Sequence, residues 1–295
     1  MDRIAFVFSG QGDQYPGMGK ELYEKHKSAA RVLKLCEQLR PGTLRQCFEG
    51  TEEELRKTGN TQPCLFAVEL AVTAVLEDRG IHPAAVAGFS LGEVTAATAA
   101  GIFDLKTGFR LVCARGRLME EAAEKFDTSM AAVVKLPAEK VIELSEHYPD
   151  VYPVNFNAPG QTSVSGLSAQ MKEFSKEVKA AGGRAIPLKV QGAFHSPFMK
   201  EAAASFEKEL FKVSLQRPQI PLYSNVTAEA YGEDVRGLLS RQISSPVQWE
   251  TLIRNMIRDG IDTFIEIGPG HTLTNLIGKI QPEVKTTSLV ELKLS

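Results

Sequence analysis

Gly88-Phe89-Ser90-Leu91-Gly92-Glu93 joins two runs of different character. Residues 84–87 (Ala-Ala-Val-Ala) are short, apolar and followed by glycine, the pattern of a buried strand. Residues 94–100 (Val-Thr-Ala-Ala-Thr-Ala-Ala) are small and helix-compatible, and they stop at Gly101. Strand, Gly-x-Ser-x-Gly, helix is the layout of a nucleophile elbow, in which a strained turn exposes the serine above a sheet. Ser90 then stands at a helix N-terminus, where the Leu91 N–H is placed to stabilise an oxyanion. The competing reading is an N-cap serine between two loop glycines.

Working outward, the α/β pattern repeats. Ile4–Phe8 is an apolar run that predicts a central strand of a parallel sheet. The loop Ser9-Gly10-Gln11-Gly12-Asp13-Gln14 follows it, at the strand end where parallel sheets place ligands; an ordinary glycine turn is the alternative. Residues 20–40 and 51–57 are expected to be exposed helices. A helix over 61–80 is expected to be capped by Thr61 or Gln62, with Pro63 in its first turn. Asp104 predicts the N-cap of a helix reaching about residue 125. On that helix Arg115 shares the face of Leu111, Leu118 and Ala122, whereas Arg117 faces Glu120 and Glu121. An arginine on an apolar face calls for an anion, a structural ion pair or a snorkelling stem.

Between 130 and 190 the order changes to strand (130–134), helix (138–147), strands (151–156 and 162–165), helix (168–181) and strand (184–188). This βαββαβ order predicts a ferredoxin-like unit inserted in the larger α/β one. The expected division is 1–126 with 192–295 for the large part and 127–191 for the small one. His195 comes next, just before Ser196-Pro197, a helix start that leaves the ring in a loop with Phe194 beside it. The elbow serine needs a base, and the other four histidines sit on polar helices or in turns.

Composition narrows the classes. The chain has 295 residues, 43% of them hydrophobic, and a formal net charge of −2. Well-mixed charge argues against nucleic-acid and polybasic membrane surfaces. No apolar run is long enough to span a bilayer. Four cysteines without metal-ligand spacing read as free thiols of a reducing compartment, so a cytoplasmic protein is expected, with monomer as the default.

Taken together, these motifs resemble the malonyl-CoA:acyl-carrier-protein transacylases of fatty-acid and polyketide synthesis. Gly10 to Gln14 is similar to the family's N-terminal Gly-Gln-Gly-x-Gln, and Gly88 to Glu93 to its serine elbow. Arg115-Gly116-Arg117 is similar to its arginine helix, and Ala193-Phe194-His195-Ser196 to its histidine loop. Pro246 to Trp249 and Glu266 to Gly270 are similar to its C-terminal signatures. The resemblance implies an α/β-hydrolase-like large subdomain with a ferredoxin-like insertion. It implies Ser90 as nucleophile, His195 as base, and the N–H groups of Leu91 and Gln11 as oxyanion donors. Gln248 matches the residue whose main-chain carbonyl orients the histidine. Arg115 is implied to hold the malonyl carboxylate, with Phe194 and Asn157 also binding substrate; Phe194 is similar to the malonyl-selecting form of the loop. The expected partners are malonyl-CoA and an acyl carrier protein, with no cofactor, metal, nucleic acid or membrane. A thioester hydrolase and a transferase of other extender units share the same elbow. Phe89 and Asp13 depart from the family pattern, which has histidine and commonly serine at these positions.

Overall fold

The computed structural model describes residues 3–190, 192–289 and 291–292. Among the described residues nine strands form two sheets: β1 (Ile4–Phe8), β2 (Ala85–Gly88), β3 (Thr128–Val134), β4 (Val151–Ala158), β5 (Gln161–Leu167), β6 (Arg184–Pro187), β7 (Leu222–Tyr223), β8 (Thr263–Ile267) and β9 (Lys285–Ser288). The larger sheet has the order β7-β2-β1-β8-β9 and is parallel at every pairing. Both of its faces are covered, which explains the unbroken apolar character of β1. Phe6 and Phe8 point into one apolar cluster, and Ala5 and Val7 into the other.

The second sheet has the order β4-β5-β3-β6 and is antiparallel throughout. Helices Ala138–Ser145 and Ser168–Ala180 cover one face and enclose a separate core around Val133, Val164 and Phe174. This is the βαββαβ arrangement with its two helices on one side, interrupting the parallel α/β unit. Gln191, the expected end of the inserted unit, lies outside the described residues. Among the described residues no helix is long and apolar enough to cross a membrane.

Local details differ from the sequence expectations for physical reasons. The stretch 20–40 is two helices, Lys20–Lys25 and Lys27–Leu39, broken at His26, whose backbone is extended. They are not wholly exposed: Leu22, Ala29, Leu33 and Cys36 are buried in the main core. The next long helix runs Thr58–Asp78, so Thr61 and Gln62 lie inside it rather than at its cap, and Pro63 lies beyond the first turn. Thr61 satisfies itself through Lys57, whose carbonyl accepts both its N–H and its hydroxyl. Asp104 does cap its helix, Leu105–Ala123, by accepting from the Thr107 N–H at 2.7 Å. Helices Thr43–Glu49, Val235–Gln242 and Thr272–Ile280, and strand β9, carried no distinct signal in the sequence.

Candidate active site

The elbow forms where the pattern placed it. Ser90 has φ 56°, a left-handed conformation that a non-glycine residue adopts only when its surroundings compel it. The flanking glycines supply that compulsion. A Cβ at Gly88 would lie 1.9 Å from the Gly92 carbonyl, and one at Gly92 would lie 2.3 Å from the Phe8 carbonyl oxygen. The turn is therefore pressed against both its own helix, Gly92–Ala99, and the end of β1.

His195 stands opposite, also in a left-handed conformation, with φ 61°. Its Nε2 is 2.7 Å from Ser90 Oγ, and its Nδ1 is 2.9 Å from the main-chain carbonyl of Gln242. A carbonyl can only accept, so Nδ1 carries the proton and Nε2 presents its lone pair to the serine hydroxyl. Burial, followed by the Arg115 charge, lowers the His195 pKa to about 4. The ring is thus neutral at pH 7 and able to take a proton.

The orienting carbonyl belongs to Gln242, not to Gln248. Gln248 begins the helix Trp249–Arg258, and its carbonyl is occupied by the Leu252 N–H in the first turn. Gln242 ends the helix Val235–Gln242, where last-turn carbonyls lack intrahelical partners and are available to a side chain.

Arg115 is fully buried. Its Nη1 donates to Gln62 Oε1 and its Nη2 to Gln242 Oε1, each at 2.8 Å, and Nη2 also reaches Ser90 Oγ at 3.3 Å. Its Nε has no partner among the described residues. Burial lowers its pKa to about 10, which leaves the guanidinium charged at neutral pH. A cation beside the nucleophile with an unpartnered Nε donor is chemically suited to an anionic acyl group. Arg117 pairs with Glu121 in solvent, as its helix face implied.

The backbone N–H groups of Gln11 and Leu91 make no hydrogen bond to another described residue. The Gln11 side chain is held between Thr58 and Gln62. Phe194 is buried against the main core, next to His195. Asn157 is not drawn into this constellation: on β4, its amide nitrogen donates to Ser163 Oγ at 3.1 Å.

Three residues that the motifs did not single out tie the site together. Asn225 accepts from the Ser90 N–H and donates to the Gly88 carbonyl, bracing the elbow. Gln242 Nε2 donates to the Ser90 carbonyl at 2.6 Å while its Oε1 holds Arg115. Gln62 is the other acceptor for Arg115. Beneath them Glu93 is fully buried, bonded to Tyr231 and to the Asn225 N–H, and burial raises its pKa to about 7. Gln62 was visible as a polar residue beside the apolar run of its helix, and Asn225 as one following a strand. Gln242 gave no local signal.

Both departures from the family pattern have a structural setting. Phe89 packs edge-on against Trp249, with ring centroids 5.4 Å apart, so an aromatic pair takes the place beside the nucleophile. Asp13 accepts from Thr272 Oγ1 at 2.5 Å, linking the Gln11 loop to the first turn of Thr272–Ile280. Burial raises its pKa to about 6, with Glu266 adding to the shift.

Residues 5–290 match the acyl transferase domain family. The chain belongs to that family. It is 38% identical to the malonyl CoA-acyl carrier protein transacylase of Bacillus subtilis, over 98% of this chain and 94% of that one. It is 37% identical to the polyketide biosynthesis malonyl CoA-acyl carrier protein transacylase BaeC of Bacillus velezensis, over 96% and 99% of the two chains. The crystal structure of the Clostridium perfringens malonyl CoA-acyl carrier protein transacylase superposes with a TM-score of 0.95 at 36% identity, covering 99% and 94%. A transacylase solved with a type II polyketide acyl-carrier protein superposes at 0.94, with 32% identity and coverage of 98% and 96%. The acyl transferase described here thus shares its whole architecture with these relatives.

Proposed function

We propose that this acyl transferase moves a malonyl group from malonyl-CoA to the phosphopantetheine thiol of an acyl carrier protein, through an ester on Ser90. His195 Nε2 takes the Ser90 proton as the serine oxygen attacks the thioester carbonyl. The oxyanion is received by the N–H groups of Leu91 and Gln11. The C–S bond breaks, and the departing CoA sulfur takes the proton from His195. The carrier thiol then attacks the ester by the same steps in reverse order, which restores Ser90. Thioester is exchanged for thioester, so neither a cofactor nor a metal is called on. Full-length similarity to named malonyl transacylases supports this reading.

The observation that carries it is one side-chain oxygen with two neighbours: Ser90 Oγ is 2.7 Å from His195 Nε2 and 3.3 Å from Arg115 Nη2. The first contact activates the serine. The second brings a buried cation to where an acyl chain with a terminal carboxylate would end. Incubation with malonyl-CoA followed by intact-mass measurement should show one malonyl adduct, absent in Ser90→Ala, and the adduct should pass to added carrier protein. An adduct on Ser90→Ala overturns the nucleophile. Release of free malonate with no loading of the carrier overturns transfer in favour of hydrolysis.

A further inference from the structure

Glu69 is fully buried near the middle of the helix Thr58–Asp78, among mostly apolar neighbours, and the transfer steps make no use of it. Each of its oxygens has its own partner. Ser9 Oγ lies 2.8 Å from Oε1 and Thr95 Oγ1 lies 2.6 Å from Oε2, and both hydroxyl residues are themselves fully buried. Ser9 stands two residues before Gln11, and Thr95 four residues after Leu91. One carboxyl therefore bonds the two segments that carry the two oxyanion N–H groups. The segments also touch directly, since a Cβ at Gly92 would fall 2.6 Å from the Ser9 carbonyl oxygen.

We propose that Glu69 is a positioning residue for the oxyanion hole: by holding Ser9 and Thr95 at once, it sets the separation of the Gln11 and Leu91 N–H groups. The inference rests on those two groups being the oxyanion donors. Three buried polar side chains cost desolvation that an apolar trio of similar volume would avoid. What the trio supplies is directional bonding further out along the two segments than the Phe89 N–H to Phe8 carbonyl bond and the close packing at Gly92, which already join them. Burial, with Asp13 and Glu266 nearby, holds Glu69 well above the usual carboxylate range. The two carboxyl oxygens accept from the two hydroxyls, and a glutamine amide keeps one acceptor oxygen and turns an N–H to the other hydroxyl, which can accept as well as donate.

This predicts a defined pattern in malonyl-CoA kinetics at pH 7. Glu69→Met should lower kcat by about tenfold to a hundredfold, the range for a displaced or lost oxyanion donor, with KM within about twofold of wild type. Glu69→Gln should recover most of that loss. Thermal unfolding establishes that each variant is folded. If Glu69→Met does not fold, Ser9→Ala and Thr95→Val each remove one arm and should each lower kcat without raising KM. Wild-type kcat in a folded Glu69→Met, or in both single-arm variants, overturns the inference. So does a Glu69→Gln as impaired as Glu69→Met, or a matching change in KM. If wild type itself forms no Ser90 ester, the proposed function fails instead, and the two failures are told apart.

Discussion

Replacing Arg115 by alanine should separate malonyl from acetyl transfer. The guanidinium is buried and charged, and its Nη1 and Nη2 are held by Gln62 and Gln242. Nε has no partner among the described residues, and the proposed clamp has the malonyl carboxylate take up this unpartnered side of the guanidinium. Hydrogen bonds to charged groups contribute about 1.5–3 kcal/mol each, and leaving one partner of a buried ion pair alone costs about 3–5 kcal/mol. A loss of about 4 kcal/mol for malonyl-CoA is roughly a thousandfold in kcat/KM, at about 1.4 kcal/mol per factor of ten. Acetyl-CoA has no carboxylate to strand and should change by about tenfold or less. The substitution also leaves Gln62 and Gln242 without their donor and opens a cavity, but that damage is common to both substrates and cancels in their ratio. Acylation would be followed by intact mass and initial rates with each thioester. A malonyl-to-acetyl ratio that stays within about threefold of wild type would refute the carboxylate clamp.

The low His195 pKa makes a second prediction. Acylation by malonyl-CoA should stay level from pH 8 to about pH 5.5 and fall only as the ring protonates nearer pH 4. An acid limb at pH 6.5 would contradict the buried, neutral ring, and Arg115→Ala should move the limb upward by removing a nearby positive charge. Gln242→Met should lower malonyl kcat/KM by about tenfold or more through the lost Arg115 and Ser90 bonds, without moving that limb, because the main-chain carbonyl on His195 is unaltered. A shifted limb would mean the carbonyl had moved with the side chain. Asp13 titrates higher in the fold, at about pH 6, than its usual 3.8. Its contribution to stability is therefore complete below about pH 4 and lost as pH rises to 6, by at most about 3 kcal/mol. The melting temperature of Asp13→Ser relative to wild type should accordingly rise between pH 4 and pH 7, and a constant difference would reject the raised pKa.

Much of the fold could be read from local chemistry. The unbroken apolar run Ile4–Phe8 and the Gly-x-Ser-x-Gly turn each state their structure within about ten residues, because strand burial and elbow strain are satisfied by near neighbours. The βαββαβ insertion was legible for the same reason, its strand, helix and turn segments each being marked by local pattern, with the turn at Pro159-Gly160 between β4 and β5. The apolar run 220–223 also reads as a strand, and the structure keeps its last two residues, Leu222–Tyr223, whereas the edge strand Lys285–Ser288 is held in place by its neighbour in the sheet more than by pattern. The placement of Gln248 failed because a main-chain carbonyl carries no residue signature. Whether it is available depends on where a helix ends, and Gln248 begins one where Gln242 finishes another.

By itself the sequence determined the chemical inventory: a serine on a strained turn, a histidine in a loop before a helix, and an arginine on an apolar face. Those statements depend on spacing along one chain segment, which dihedral preferences and periodicity govern directly. Only the tertiary structure decided which groups complete the site. Asn225 and Gln242 lie 135 and 152 residues from the serine they hold, and Glu69 reaches Ser9 across 60. Such pairings follow from the packing of helices against a parallel sheet, a property of the whole core that no local stretch contains.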